Sequence, residues 1–306
     1  MARILTVGIA TLDIINTVEA YPEEDTEVRA CAQKRQRGGN ASNTAVVLAQ
    51  LGHDIAWAGC LADDASAEFI LADLASSKVE VIGAHRVTGS CTPTSYVALN
   101  KQNGSRTIVH YRDLPEYSVE AFQAIDLSPF DWVHFEGRNI QHTRTMLDSL
   151  QRTHPGIQVS VEIEKRRTGI ECLCEGAELL LYSRGYVKDG ILGSAKEARK
   201  AQTRINEDPV EFLFAQHKKQ PTAKHCCAWG ENGAWGIGQD GEMFYSPALL
   251  VEPVIDTLGA GDTFNASMIH SGVTGLDLSA SLQASCRLAG KKCRQQGLQG
   301  LLQGLQ

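Results

Sequence analysis

Hydrophobic and polar positions along this chain switch repeatedly between a strand-like and a helix-like period. Ile4-Leu5-Thr6-Val7-Gly8-Ile9-Ala10 is apolar and β-branched, which predicts a strand buried on both faces. Gly38-Gly39-Asn40-Ala41-Ser42-Asn43-Thr44-Ala45 opens a helical pattern through Val46–Leu51 that Gly52 closes. Asp131–Phe135 and Gln158–Ile163 read as strands flanking a helix and turn over residues 141–157. Glu171–Leu181, Ala195–Gln202 and Glu211–His217 read as helical, and Cys226–Gly236 as strand, tight turn, strand. Pro247–Ile255 reads as a strand, and Ser279–Cys293 as a helix with apolar spacing at Leu282, Cys286, Leu288 and Ala289. Such alternation predicts a mainly parallel α/β sheet with helices on both faces.

Two patches interrupt this rhythm. Thr26–Ala30 and Cys31–Lys34 lie in a non-helical stretch from Ile14 to Arg37. Thr94–Leu99, then Asn103-Gly104, then Arg106–Tyr111 is a strand, turn, strand signal for a hairpin. Together they predict a small sheet inserted at about 14–37 and 88–112 of a single 306-residue domain.

Charge and composition narrow the function. A net charge of −7 without a basic run argues against nucleic-acid or anionic-membrane partners. The chain enters a strand at once, and it carries no apolar run long enough to cross a bilayer. Its nine cysteines include no CxxC pair, so they read as reduced thiols of a soluble cytoplasmic protein, and no metal site is expected from them.

The candidate chemistry centres on Asp256-Thr257-Leu258-Gly259-Ala260-Gly261-Asp262-Thr263-Phe264-Asn265, a glycine turn opening a helix. Backbone N–H groups at such a turn hold anions. A carboxylate there repels a phosphate, so Asp262 is read either as a general base or as a helix cap. As a base it would take a hydroxyl proton while the Gly259, Ala260 and Gly261 amides stabilise a transferred phosphoryl group. The literal GxGxxG at Gly236–Gly241 runs into a turn rather than a helix, so it is no dinucleotide fingerprint.

These motifs carry a resemblance. Gly-Gly-Asn-x-x-Asn at Gly38–Asn43 and Asp-Thr-x-Gly-Ala-Gly-Asp at Asp256–Asp262 look like the paired signatures of the PfkB (ribokinase-like) sugar kinase family. Gln36–Asn43, His134–Asn139, Ser160–Lys165 and Ala289–Cys293 resemble its ketohexokinase branch. The resemblance implies a ribokinase-like three-layer sandwich whose small sheet is a substrate lid, clasping a second lid in a homodimer. It implies ATP-dependent phosphorylation of fructose at its 1-hydroxyl, with Asp262 as base and Asp13, Gly39, Asn40 and Asn43 on the sugar. It places Arg106, Gly230, Glu231, Asn232 and Gly233 on ATP with Gly259 and Gly261. It also implies magnesium, and potassium near the Asp256 loop. Read without it, Asp13 is an Asx turn at the end of the first strand, and Arg106 a solvated hairpin residue. Glu136 and Asn139 are further substrate-side candidates, whereas His134 reads as strand packing. Glu162 is either a site carboxylate or the edge of the core.

One departure stands out. Where many members carry Asn-x-x-Glu, this chain has Ser183-Arg184-Gly185-Tyr186. Magnesium is therefore expected to arrive with ATP. Rival expectations are a kinase for ribose or a nucleoside such as adenosine, and a catalytically weak sugar-binding homologue.

Overall fold

The computed structural model describes residues 1–189 and 208–302. The helix expected at Ala195–Gln202 lies outside the described residues. From the N-terminus, β1 (Arg3–Val7) leads into β2 (Thr11–Val18) and β3 (Ala32–Gly38), then helix α1 (Asn40–Gln50). Next come β4 (Asp54–Ala58), β5 (Cys60–Ala62), α2 (Ala65–Ser76), β6 (Val79–Val81) and β7 (His85–Val87). The hairpin strands β8 (Thr94–Asn100) and β9 (Arg106–Tyr111) precede α3 (Val119–Gln123), β10 (Trp132–Glu136) and α4 (Ile140–Thr153). Strands β11 (Gln158–Ile163) and β12 (Leu179–Ser183) follow; beyond residue 207 lie α5 (Val210–Lys219) and β13 (Lys224–Ala228). The described chain ends with β14 (Ala234–Ile237), β15 (Met243–Ser246), α6 (Ala260–Thr274) and α7 (Leu278–Lys292).

Nine strands form the central sheet in the order β15-β14-β13-β12-β11-β10-β1-β4-β6. Its pairings are parallel except for the β13–β14 and β14–β15 ladders at one edge. Apolar β1 is buried on both sides, as its sequence requires. Ile4 joins the core under α1, α2, α6 and α7, whereas Leu5 and Val7 join the one under α3, α4 and α5. The result is a three-layer α/β sandwich, as the resemblance implies.

A second sheet of four strands runs β3-β2-β8-β9. The Asn103-Gly104 hairpin joins β8 to β9 in the expected antiparallel register. Three expectations need correction. Thr26–Ala30 forms no strand, because pairing with β2 begins only where Cys31 N meets the Thr17 carbonyl at 2.8 Å. Of Glu171–Leu181, only the Ile170–Cys174 turn is helical; Leu179–Leu181 enter the sheet, where both neighbours bury them. Pro247–Ile255 joins no ladder, and its two prolines lack the N–H that a ladder needs. The Leu-Gln-Gly tail docks through Leu302: Gln50 Nε2 donates to the Leu298 carbonyl at 2.7 Å, and Leu301 is wholly buried.

Candidate active site

The chain leaves β1 toward β4 on one side, and β10 returns on the other, so the connections after β1 and β10 diverge. Open α/β sheets bind ligands in the crevice that such a switch creates beyond the strand ends. Here that crevice is a cleft of about 740 Å³. Ile9 beyond β1, Glu136 on β10, Glu162 and Glu164 at the end of β11, and Ser183 on β12 form its floor. The N-termini of α1 and α6 enter it from one side, and the second sheet covers it.

Asp262 lies in the first turn of α6 and is 8% exposed. It is not the cap; that position belongs to Gly259, and the Asp262 carboxylate instead accepts from Asn43 Nδ2 at 2.7 Å. Burial pushes its pKa up to about 7, opposed by the Asn43 bond and reinforced by the Glu164 and Glu136 charges. A carboxyl group so tuned suits proton transfer near neutrality. Gly259 and Gly261 line the cleft beside it. The Ala260 amide, counted with them from the sequence, already donates to the Thr257 carbonyl at 3.3 Å.

Facing Asp262, α1 starts at Asn40 behind Gly39, whose φ of 101° only glycine adopts without strain. A Cβ there would also run into the Ile9 carbonyl. This tight start brings Gly39, Asn40 and Asn43 to the cleft. Glu162 is 6% exposed and ties both helices together, accepting from Asn40 Nδ2 at 3.2 Å and Asn265 Nδ2 at 3.0 Å. Burial and neighbouring carboxylates, Asp262 first among them, raise its pKa well above the usual range. Glu136 accepts from the Ile9 amide at 2.9 Å and from Arg138 at 3.3 Å. His134 is fully buried against Ser160, 2.8 Å away, and Asn139 lines a small side cavity rather than the cleft.

Asp13 does reach the cleft, but not from the end of β1. It sits within β2, opposite Gln36 and Ser95, because the chain breaks at Gly8–Ala10 and starts a new strand at Thr11. Thr11 Oγ1 donates to it at 2.9 Å, and burial raises its pKa. Arg106, the first residue of β9, reaches from the same sheet to the Thr257 hydroxyl. Gly230–Gly233 lie elsewhere: Glu231 and Asn232 line a neighbouring cavity of about 440 Å³ with Trp229, Trp235 and Tyr245.

At the position of Asn-x-x-Glu, Ser183 Oγ donates to the Glu164 carbonyl at 2.6 Å and accepts from the Tyr186 amide at 3.0 Å. Tyr186 is buried against Tyr182 and offers no ligand. This donor set fits magnesium carried on nucleotide oxygens, with Glu164 nearby, and does not fit a protein-made cage. At the Asp256 loop, the carboxylate is already taken by Lys292 Nζ at 2.7 Å, Gly297 N at 2.9 Å and Leu258 N at 2.8 Å. That carboxylate therefore does not fit potassium.

Sequence reasoning passed over Asn265, Arg37 and Lys292. Asn265 had a signal, since it lies one helical turn beyond Asp262 and so on the same face. Lys292 continues the Leu282, Cys286, Leu288, Ala289 stripe of α7, a place where a charge needs a partner. Arg37 carried none beyond its place before the glycine pair.

Among the described residues no helix is long and apolar enough to cross a membrane. Residues 1–153 and 191–303 match the pfkB family of carbohydrate kinases. The chain is 40% identical to ketohexokinase from Mus musculus over 98% of its own length and 99% of the relative's. It shares the fold of adenosine kinase from Sinorhizobium meliloti, with a TM-score of 0.79 and 20% identity over 98% and 97% of the two chains. It shares it likewise with Arabidopsis thaliana ribokinase complexed with ribose and ATP, with a TM-score of 0.75 and 19% identity over 97% and 94%. A cleft at the sheet's switch point, a buried carboxylate at the start of a helix and these matches converge: the chain belongs to the pfkB carbohydrate kinase family and is an ATP-dependent sugar kinase.

Proposed function

We propose that this sugar kinase is a ketohexokinase, transferring the γ-phosphoryl group of ATP to the 1-hydroxyl of D-fructose. The observation that carries the substrate assignment is 40% identity with mouse ketohexokinase across nearly the whole of both chains. Asp13, Gly39, Asn40 and Asn43 hold the sugar, their amides and carboxylate matching its hydroxyls as donors and acceptors. Asp262 takes the proton from the 1-hydroxyl as its oxygen attacks the γ-phosphorus. The bond to the β-phosphate bridging oxygen breaks, and fructose 1-phosphate and ADP leave. The Gly259–Gly261 turn and Arg106 stabilise charge on the transferred group. Gly230, Glu231, Asn232 and Gly233 flank the nucleotide from the neighbouring cavity. Magnesium carried on the nucleotide, with Glu164 nearby, would neutralise phosphate charge.

The second sheet acts as a lid that excludes water and limits ATP hydrolysis. Its outer strand is exposed along its whole length, with Val109 66% and Tyr111 55% accessible. An uncovered apolar edge of this kind favours pairing with a second lid in a homodimer. Light scattering tests this: Val109→Glu should yield monomers from dimers, and a monomeric parent protein removes the idea. The nine cysteines are free thiols, in keeping with a reducing cytoplasm.

The deciding experiment is ADP release with magnesium-ATP, with and without potassium, offering fructose, ribose, glucose and adenosine separately. Fructose-dependent release supports the reading, and NMR of the product fixes the phosphorylated position. Preference for ribose or adenosine discards the substrate and keeps the base. The Ser183–Tyr186 departure favours one other reading, a sugar-binding homologue of low activity; sugar binding without ADP release would establish it.

A further inference from the structure

Arg37 is the penultimate residue of β3 and is 6% exposed, yet it belongs to none of the groups assigned to sugar or ATP. Its Nη1 donates to Asn43 Oδ1 at 2.7 Å and to Ser42 Oγ at 3.0 Å. Its Nε donates to Asp73 Oδ2 on α2 at 2.6 Å. Asn43, with its amide oxygen held by Arg37, turns its nitrogen outward and donates to Asp262 at 2.7 Å. An unheld Asn side chain has no such preference, since a rotation of its amide plane exchanges oxygen for nitrogen. With the oxygen outward, the contact with Asp262 would set two acceptors against each other.

We infer that Arg37 is a positioning residue, fixing the Asn43 amide so that its N–H anchors the catalytic carboxylate of Asp262. This rests on the reading of Asp262 as base. The geometry follows from the guanidinium's fork: one planar group serves Asp73 through Nε and the α1 side chains through Nη1, which a lysine ammonium cannot reproduce. Ser42 completes the seat by donating to the Gly38 carbonyl at 2.8 Å while accepting from Arg37. The lid strand β3 thereby ends on a charge bound to the base through one amide, so lid and base share a fixed register. Arg37 has a second effect through its charge. Asp262 lies among the charges of Glu136, Glu162 and Glu164, and the Arg37 charge opposes them, holding the Asp262 pKa below where those neighbours would push it.

Arg37→Lys and Arg37→Met separate the two effects. Both should lower kcat at least about tenfold, because either change releases the Asn43 amide. Both should also move the acid limb of the pH–rate profile upward, because each loses the Asn43 hydrogen bond that lowers the Asp262 pKa, and Arg37→Met further than Arg37→Lys, because it removes the opposing charge as well. Thermal unfolding verifies that each variant is folded. If Arg37→Met does not fold, Arg37→Lys, which keeps the buried charge, decides the matter by kcat and acid limb together. Folded variants with the parent's kcat and acid limb overturn the inference. Asp262→Asn, run beside them, keeps the failures apart. An active Asp262→Asn sinks the base reading; an inactive one beside unaffected Arg37 variants sinks only the positioning role.

Discussion

Lys292 is wholly buried, and its ammonium donates to the Asp256 carboxylate at 2.7 Å and to the Asp256 carbonyl at 2.9 Å. The same carboxylate accepts from Gly297 N and Leu258 N. One ion pair thus fastens the end of α7, the turn at Gly297 and the loop that delivers Gly259 to α6. Deleting one partner of such a pair strands the other charge in a low-dielectric setting. Lys292→Met is therefore expected to cost about 3–5 kcal/mol of stability, measured by urea unfolding. Lys292→Met with Asp256→Leu should recover part of that loss. An unchanged midpoint in the single variant would show that the pair contributes nothing.

Asp262→Asn keeps the shape of the group and removes its basicity. Turnover should fall about 10²–10⁴-fold, while calorimetric sugar binding stays close to the parent's. Equal losses in turnover and binding would instead mark Asp262 as a binding residue.

The raised pKa of Asp262 sets the pH dependence. A base works unprotonated, so kcat/KM for the sugar should climb with pH below about 7 and level off above it. Stability runs the other way. A folded-state pKa raised above the ordinary aspartate value of 3.8 favours the folded protein at acid pH, a contribution lost as pH rises through about 7. Sugar-free protein should lose melting temperature over the range in which it gains activity. An acid limb near pH 4 would show that the Asp262 carboxyl is not raised in the working enzyme.

Gly38 lies against Asp13 so closely that a Cβ would collide with all three atoms of the carboxylate group. Gly38→Ala should swing Asp13 out of the cleft and raise the sugar KM about tenfold or more, the equivalent of one good hydrogen bond. The KM for ATP should hardly change. A loss confined to ATP would move Asp13 to the nucleotide side.

Glu162 accepts one amide from each of the helices facing the cleft. Glu162→Ala leaves Asn40 and Asn265 without that partner and should raise the sugar KM at least about tenfold. Glu162→Gln, which retains one acceptor oxygen, should fall between the two. A Glu162→Ala enzyme with the parent's KM would return Glu162 to the edge of the core.

The sequence carried the layers of this fold because its signals are local. A buried parallel strand such as Arg3–Val7 must be apolar on both faces, and Asn103-Gly104 between strand patterns suits a hairpin. Local signals failed where pairing decided the outcome. Leu179–Leu181 fits helix or strand by composition and became β12 because β11 and β13 offered ladders on both sides.

For the site, the sequence by itself determined which side chains could do chemistry: the carboxylate beside a glycine turn, the Gly-Gly-Asn helix start, and a cationic residue on a hairpin. Only the tertiary structure decided how they meet. Asn43 and Asp262 lie 219 positions apart and touch at 2.7 Å. Asp13 arrives from the second sheet rather than from the end of β1. Arg37, Glu162 and Lys292 gain their importance from partners distant in the chain. The reason is physical: a charge buried in a low-dielectric interior must find its partner in space, and sequence spacing does not encode that distance.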